Sequence, residues 1–128
     1  MRRVVLDFDG VISAFIHPWE GADVINDDVV PGALDAIQAY QHAGFSVAIH
    51  SSRSGQFGGI AAMKSWLYGQ LLIHFAPESE VATRILNAIE WPTELLPAVL
   101  YINDRGFHFE GTFPSVEYLN AFRPWNKL

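Results

Sequence analysis

The chain has 128 residues, half of them apolar and 17% charged, with 8 Lys and Arg against 14 Asp and Glu and a formal charge of −6. This length supports one core without a sizeable second domain, and the composition is that of a folded chain rather than a disordered one. The acidic balance, with no basic cluster longer than Arg2-Arg3, argues against a nucleic-acid duplex as ligand. The absence of cysteine excludes disulfides, zinc-thiolate sites and thiol nucleophiles.

In chain order, residues 3–8 form a continuous apolar run, the pattern of a parallel strand covered on both faces. Residues 12–30 are rich in Pro, Trp, His and Asp and too long for a plain connection, so they are expected to form an irregular functional flap. Pro31 suits the first turn of a helix that presents Leu34, Ile37 and Tyr40 and is closed by Gly44. A second strand follows from Phe45 to Ile49 or His50 and ends at Ser51-Ser52-Arg53. Ile60, Met63, Trp66 and Leu67 predict a helix over 58–68 with Gly69 as its stop, and Leu71 to Phe75 reads as a third short strand or a buried loop. Val81, Ile85, Leu86 and Ile89 predict a helix over 78–90, ended by Pro92. Val99 to Ile102 is a further strand, terminating in Asn103-Asp104-Arg105-Gly106, with a small strand or hairpin near 107–110 and a last helix near 115–122.

This alternation predicts an α/β layer fold around a mostly parallel sheet with right-handed crossovers. No apolar stretch approaches the roughly 18 residues of a membrane span, and Met1-Arg2-Arg3 leads into a strand without a cleavage signal. A cytoplasmic protein without membrane association is expected.

In such sheets the carboxyl ends of the strands share one edge, where ligands bind. Asp7 and Asp9 end the first strand, Ser51 the second and Asp104 the late one. Two carboxylates one residue apart at a buried strand tip are costly unless a cation sits between them, and oxygen ligands on a short loop suit Mg²⁺. An Asp-Gly turn with ordinary capping is the plainer reading of Asp7 to Gly10 taken alone. The convergence favours a metal-dependent phosphate site. Asp7 would attack phosphorus, Asp9 would act as acid and then base, and Asp104 would complete the Mg²⁺ shell of Asp7 and Asp9. Ser51 and Ser52 would donate to the phosphoryl oxygens.

The run Val4-Val5-Leu6-Asp7-Phe8-Asp9-Gly10-Val11 resembles the first motif of the haloacid dehalogenase (HAD) superfamily. Ala48-Ile49-His50-Ser51-Ser52-Arg53 resembles its second motif, and Tyr101-Ile102-Asn103-Asp104-Arg105 its fourth, in the Asp-Asp-Arg form of small capless members and of phage polynucleotide kinase phosphatase domains. The resemblance covers residues 3 to about 111. It implies a three-layer Rossmann-like (HAD-like) fold without a separate cap domain. It also implies a Mg²⁺-dependent phosphatase with an aspartyl-phosphate intermediate, acting on a small phosphorylated substrate.

Two departures stand out. Asn103 replaces one carboxylate of the Asp-Asp-Arg pattern, and Leu95, in Glu94-Leu95-Leu96-Pro97-Ala98, stands where the family's third-motif Lys is expected in a Lys-Pro-Pro-Ala context. Lys64 and Arg84 read as surface residues, and Arg53 is the better-placed substitute cation and a third phosphate-binding candidate. The loss of the Lys opens a second reading, a phosphate- or metal-binding module without turnover. The Asp-Asp-Arg-like motif opens a third, a nucleic-acid end-processing phosphatase, against which the net acidity weighs. His17, Trp19 and Glu20 of the flap are candidates for substrate contact. The remaining histidines lack metal-ligand spacing, Trp66, Trp91 and Trp125 read as packing residues, and Asp23, Asp27 and Asp28 read as charge preceding the helix at Pro31. Oligomeric state, including a homodimer, stays open.

Overall fold

A computed structural model describes residues 2–103 and 115–121. Three parallel strands, β1 (Arg3–Leu6), β2 (Ser46–Ile49) and β3 (Leu100–Ile102), lie in the order β2-β1-β3. Val5 is in register with Ala48 on one side and Tyr101 on the other. The ladder runs one step further at its carboxyl end, where His50 N–H donates to the Leu6 carbonyl (3.1 Å) and Asp7 N–H to the Ile102 carbonyl (2.9 Å). The chain therefore leaves the central strand to one side and returns on the other. Its tip is the point where strand order reverses, and ligands bind such sheets there.

The helices are α1 (Ala33–His42), α2 (Gly59–His74), α3 (Ser79–Asn87) and the short α4 (Val116–Ala121). Val4, Leu6, Val47 and Ile49 cluster with Leu34 and Ile37 of α1, Met63 and Leu67 of α2 and Ile85 of α3. Val5 and Ala48 are also buried but stand outside this cluster. Period-2 alternation accounts for the split, since alternate residues of a strand face opposite sides of the sheet. Asp7 shares the face of Val5, away from the helical core.

The expected break near residue 69 is absent. One helix continues through Gly69 to His74, so residues 71–74 are helical and Phe75 caps the helix end. Met63, Leu67 and Leu71 are fully buried at four-residue spacing, and burial of that stripe outweighs the roughly 1 kcal/mol that Gly costs inside a helix. The next helix stops at Asn87 rather than 90, because Glu90 is taken by the edge of β2. Its N–H donates to the Val47 carbonyl (2.9 Å) and its carbonyl accepts from Ile49 N–H (3.0 Å). Arg3 fixes the segment that follows, donating from Nε and Nη2 to the Glu90 carboxylate (3.2 and 3.1 Å) and from Nη1 to the Pro97 carbonyl (3.0 Å).

The flap is irregular in its body but closed at its neck. Ser13 bridges antiparallel to Val29, Ala14 N–H donates to the Asp28 carbonyl (3.0 Å) and Val30 N–H to that of Ile12 (2.7 Å). Asp104 and the hairpin expected at 107–110 lie outside the described residues. Among those described, no helix is long and apolar enough to cross a membrane.

Candidate active site

A cleft of about 510 Å³ opens at the carboxyl edge of the sheet, lined by Val5, Asp7, His50, Ser51, Ser52, Leu95, Tyr101, Ile102 and Asn103. Its lining combines apolar side chains with a few polar groups, the usual makeup of a small-molecule site. Asp7 reaches it from the tip of β1, and Asp7 Oδ1 accepts the N–H of Phe8 (2.7 Å). Ser51 reaches it from the end of β2, where a tight turn fixes its hydroxyl. Ser51 Oγ accepts Arg53 N–H (3.1 Å), while Ser51 N–H donates to Ser54 Oγ (3.0 Å). Accepting that bond orients the Ser51 oxygen and leaves its own proton to be donated.

Asp9 takes a different course. Gly10 adopts a left-handed conformation (φ 83°), and the Phe8 carbonyl receives the N–H groups of Val11, Ile12 and Ser13 (3.3, 2.9 and 3.0 Å). The chain thus coils back at once, with Phe8 anchored in the core against Trp66 (5.2 Å, edge to face). Asp9 does not line the cleft. Its carboxylate meets the guanidinium of Arg53, which donates from Nε to Oδ2 (2.9 Å) and Oδ1 (3.2 Å) and from Nη2 to Oδ1 (3.0 Å). The cation that two neighbouring acids call for is, at Asp9, this arginine. Arg53 correspondingly does not face the cleft. Its side chain is 3% exposed, and Nη1 donates to the flap carbonyls of Gly21, Ala22 and Val24 (3.1, 2.9 and 3.0 Å). The expected phosphate-binding arginine thus stands outside the cleft lining, with each guanidinium nitrogen bonded to Asp9 or to the flap.

Of the remaining candidates, Ser52 lines the cleft and Leu95 does too, at 58% exposure. The position where the motif pattern expects a lysine is thus at the site, but it brings no charge. Lys64 is elsewhere, with Nζ 6.0 Å above the Trp91 ring. His17, Trp19 and Glu20 do not line the cleft. Asp27 serves the flap rather than a helix N-terminus. Its Oδ1 accepts from Ile16 N–H (3.0 Å) and His17 N–H (3.1 Å) and pairs with His17 Nδ1 (2.6 Å). Burial alone raises the Asp27 pKa, but the His17 ring and these two N–H groups outweigh it and hold the carboxyl below its ordinary value.

His50 and Tyr101 also line the cleft and are not among the residues that the motifs single out. Register would have found both, since His50 stands beside Asp7 one step past the Leu6–Ile49 pair, and Tyr101 stands beside Val5. Asp7 and Asn103 bring hard oxygen donors to the cleft, which suit a small cation such as Mg²⁺; the Asp9 carboxylate, facing Arg53, is not among them. Among the described residues, no three His, Asp or Glu side chains gather in a metal-ligand cluster.

Comparison with protein-family models, with curated proteins and with solved structures returns no match. The resemblance to HAD phosphatases therefore rests on the motif residues themselves.

Proposed function

We propose that this chain is a Mg²⁺-dependent phosphohydrolase that acts on small phosphate monoesters, with Asp7 as nucleophile. The observation that carries this reading is the carboxylate at the tip of the central strand, at the strand-order reversal, in one cleft with two serines and an asparagine. A three-layer Rossmann-like fold of the HAD type goes with it, supported by the parallel β2-β1-β3 order.

In the first half-reaction an Asp7 oxygen attacks phosphorus, the bond to the ester oxygen breaks, and the leaving oxygen takes up a proton from solvent water. In the second, water attacks the phosphorus of the aspartyl phosphate, gives up a proton, and releases inorganic phosphate with Asp7 restored. Ser51, buried and oriented by its own turn, donates to the phosphoryl oxygens as charge develops on them, with Ser52 beside it. Mg²⁺, when bound, offsets repulsion between the phosphate dianion and Asp7. Asp9 accepts N–H donors from Arg53 on both oxygens and stands outside the cleft lining, so taking a proton from the attacking water would require that pair to turn toward the cleft. Delivering a proton to the leaving group would require Arg53 to release one oxygen.

A binding module without turnover is the second reading, favoured by Leu95 and by the absence of Lys and Arg among the described cleft-lining residues. An aryl phosphate assay with and without Mg²⁺ separates the two. The hydrolase reading expects Mg²⁺-dependent release of the phenol and its loss, by about 10²-fold or more, in Asp7→Asn. Release that persists in Asp7→Asn would end that reading. Calorimetric binding of phosphate with Mg²⁺ and no release would establish the module.

A further inference from the structure

Arg53 joins three stretches of chain that are distant in sequence. It belongs to the turn that also carries Ser51, it grips Asp9 at the exit of β1, and it holds the carbonyls of residues 21–24 in the flap. The Trp19 ring lies 4.5 Å from its guanidinium carbon and the Phe8 ring 5.8 Å. A planar fork is what this geometry demands. Nη1 faces the flap while Nε and Nη2 face the acid, and a lysine ammonium, a single point with three donors, cannot span both sides. Asp9 meets the neck of the flap through a backbone bridge to Ser13, whereas its carboxylate is linked to the body of the flap, at residues 21–24, through the guanidinium.

We propose that Arg53 is a positioning residue that couples the flap to Asp9, so that seating the flap and orienting the Asp9 carboxylate are one event. The carbonyls of Gly21, Ala22 and Val24 fix one edge of the guanidinium plane, and that plane fixes the carboxylate plane of Asp9 on the other edge. A flap that lifts takes with it the partners of Nη1 and frees the arginine to rotate. Asp9 then loses the orientation that the guanidinium imposes on it. The coupling itself stands on geometry; its effect on turnover rests on the phosphohydrolase reading above.

Amide hydrogen exchange of the full chain, read beside aryl phosphate kinetics, tests this. Arg53→Lys keeps the charge and removes the fork; Asp9→Asn keeps the shape and removes the acid. Both are expected to raise exchange across residues 19–26 about 10-fold or more while α2 and α3 keep their protection, and to lower kcat about 10-fold or more with KM within about threefold. A folded variant of either kind with wild-type exchange in the flap overturns the coupling. Faster flap exchange in Arg53→Lys with unchanged kcat overturns the positioning of Asp9 and leaves Arg53 a structural anchor. If wild-type protein shows no Mg²⁺-dependent turnover, the hydrolase reading fails and the exchange of Asp9→Asn alone decides the coupling. The same variant decides it if Arg53→Lys does not fold.

Discussion

Helix α2 offers one chemical change with two opposite outcomes. A Cβ built at Gly59 would stand 1.9 Å from the Arg53 carbonyl oxygen and 2.7 Å from its carbon, against the 3.0 Å below which real Cβ atoms essentially never approach. The obstacle is main chain, not the tip of a flexible side chain, so the 53–59 turn must move by more than 1 Å. A Cβ at Gly69, ten residues on in the same helix, meets nothing within 4 Å. Overpacking of the first kind costs about 1–3 kcal/mol, and the helix-propensity gain of Gly→Ala, at most about 1 kcal/mol, is smaller still at the first helical residue. Gly59→Ala is therefore expected to lose about 2 kcal/mol, whereas Gly69→Ala gains about 0.5–1 kcal/mol.

For a domain of this size 1 kcal/mol moves the melting temperature by about 4 °C, so thermal unfolding should place Gly59→Ala about 8 °C below wild type and Gly69→Ala about 2–4 °C above it. The same displacement reaches the site, since the Arg53 carbonyl also accepts Gln56 N–H (3.1 Å) and Arg53 N–H rests on Ser51 Oγ (3.1 Å). Gly59→Ala should lose aryl phosphate turnover at temperatures where it is still folded. A melting temperature within 2 °C of wild type would show that the turn carrying Ser51 and Arg53 is not braced against the start of α2, a bracing on which the site geometry depends.

Leu95→Lys puts a cation into the cleft at a position already 58% exposed, so stability should stay within about 0.5 kcal/mol and inhibition by inorganic phosphate should tighten about 10-fold, measured as a competitive constant. Trp19→Ala removes the ring from the face of Arg53 and should cost about 0.5–2 kcal/mol in chemical denaturation, with exchange in the flap rising first. Asp27 has its pKa lowered on folding, so its contribution is complete above the unfolded value, about pH 4, and is lost as pH falls through the folded value. Asp27→Ala should accordingly be less stable than wild type at pH 6, and the gap should close on acidification. A gap that widens below pH 4 would contradict the His17–Asp27 pairing.

Residues whose role follows from local pattern were legible in the sequence. The apolar run 3–8, the strand at 99–102 and the stripe Leu34, Ile37 announce elements that the structure contains, because burial of a strand or a helix face writes itself into neighbouring residues. Gly69 misled for the opposite reason. Its local preference to end a helix is worth about 1 kcal/mol, and Leu71, two residues beyond the predicted stop, is buried by tertiary packing that no short window displays. Glu90 was equally hidden, since the edge of β2 that claims it lies some forty residues upstream. At the site, Asp7, Ser51 and Ser52 could be assembled on one edge from strand ends alone. The orientation of a side chain just past a strand end could not, and Arg53 and Asp9 are such residues.

That last difference changes the electrostatic argument. Strict alternation would put Asp7 and Asp9 on one face, both aimed into the cleft, and would demand a cation shared between them. The strand stops at Leu6, however, and the turn closed on the Phe8 carbonyl swings Asp9 out of register toward a buried guanidinium. The two acids then stand in different surroundings: Asp9 against an arginine built into the fold, Asp7 in the lining of the cleft. Under the proposed phosphohydrolase reading, the cleft acid would meet substrate and metal while the second acid is held by the chain itself. Adding Mg²⁺ should therefore change the environment of Asp7 and leave the Asp9–Arg53 pair in place. Carboxyl resonances followed by NMR during a Mg²⁺ titration would test this, and a shift at Asp9 as large as that at Asp7 would return both acids to one metal.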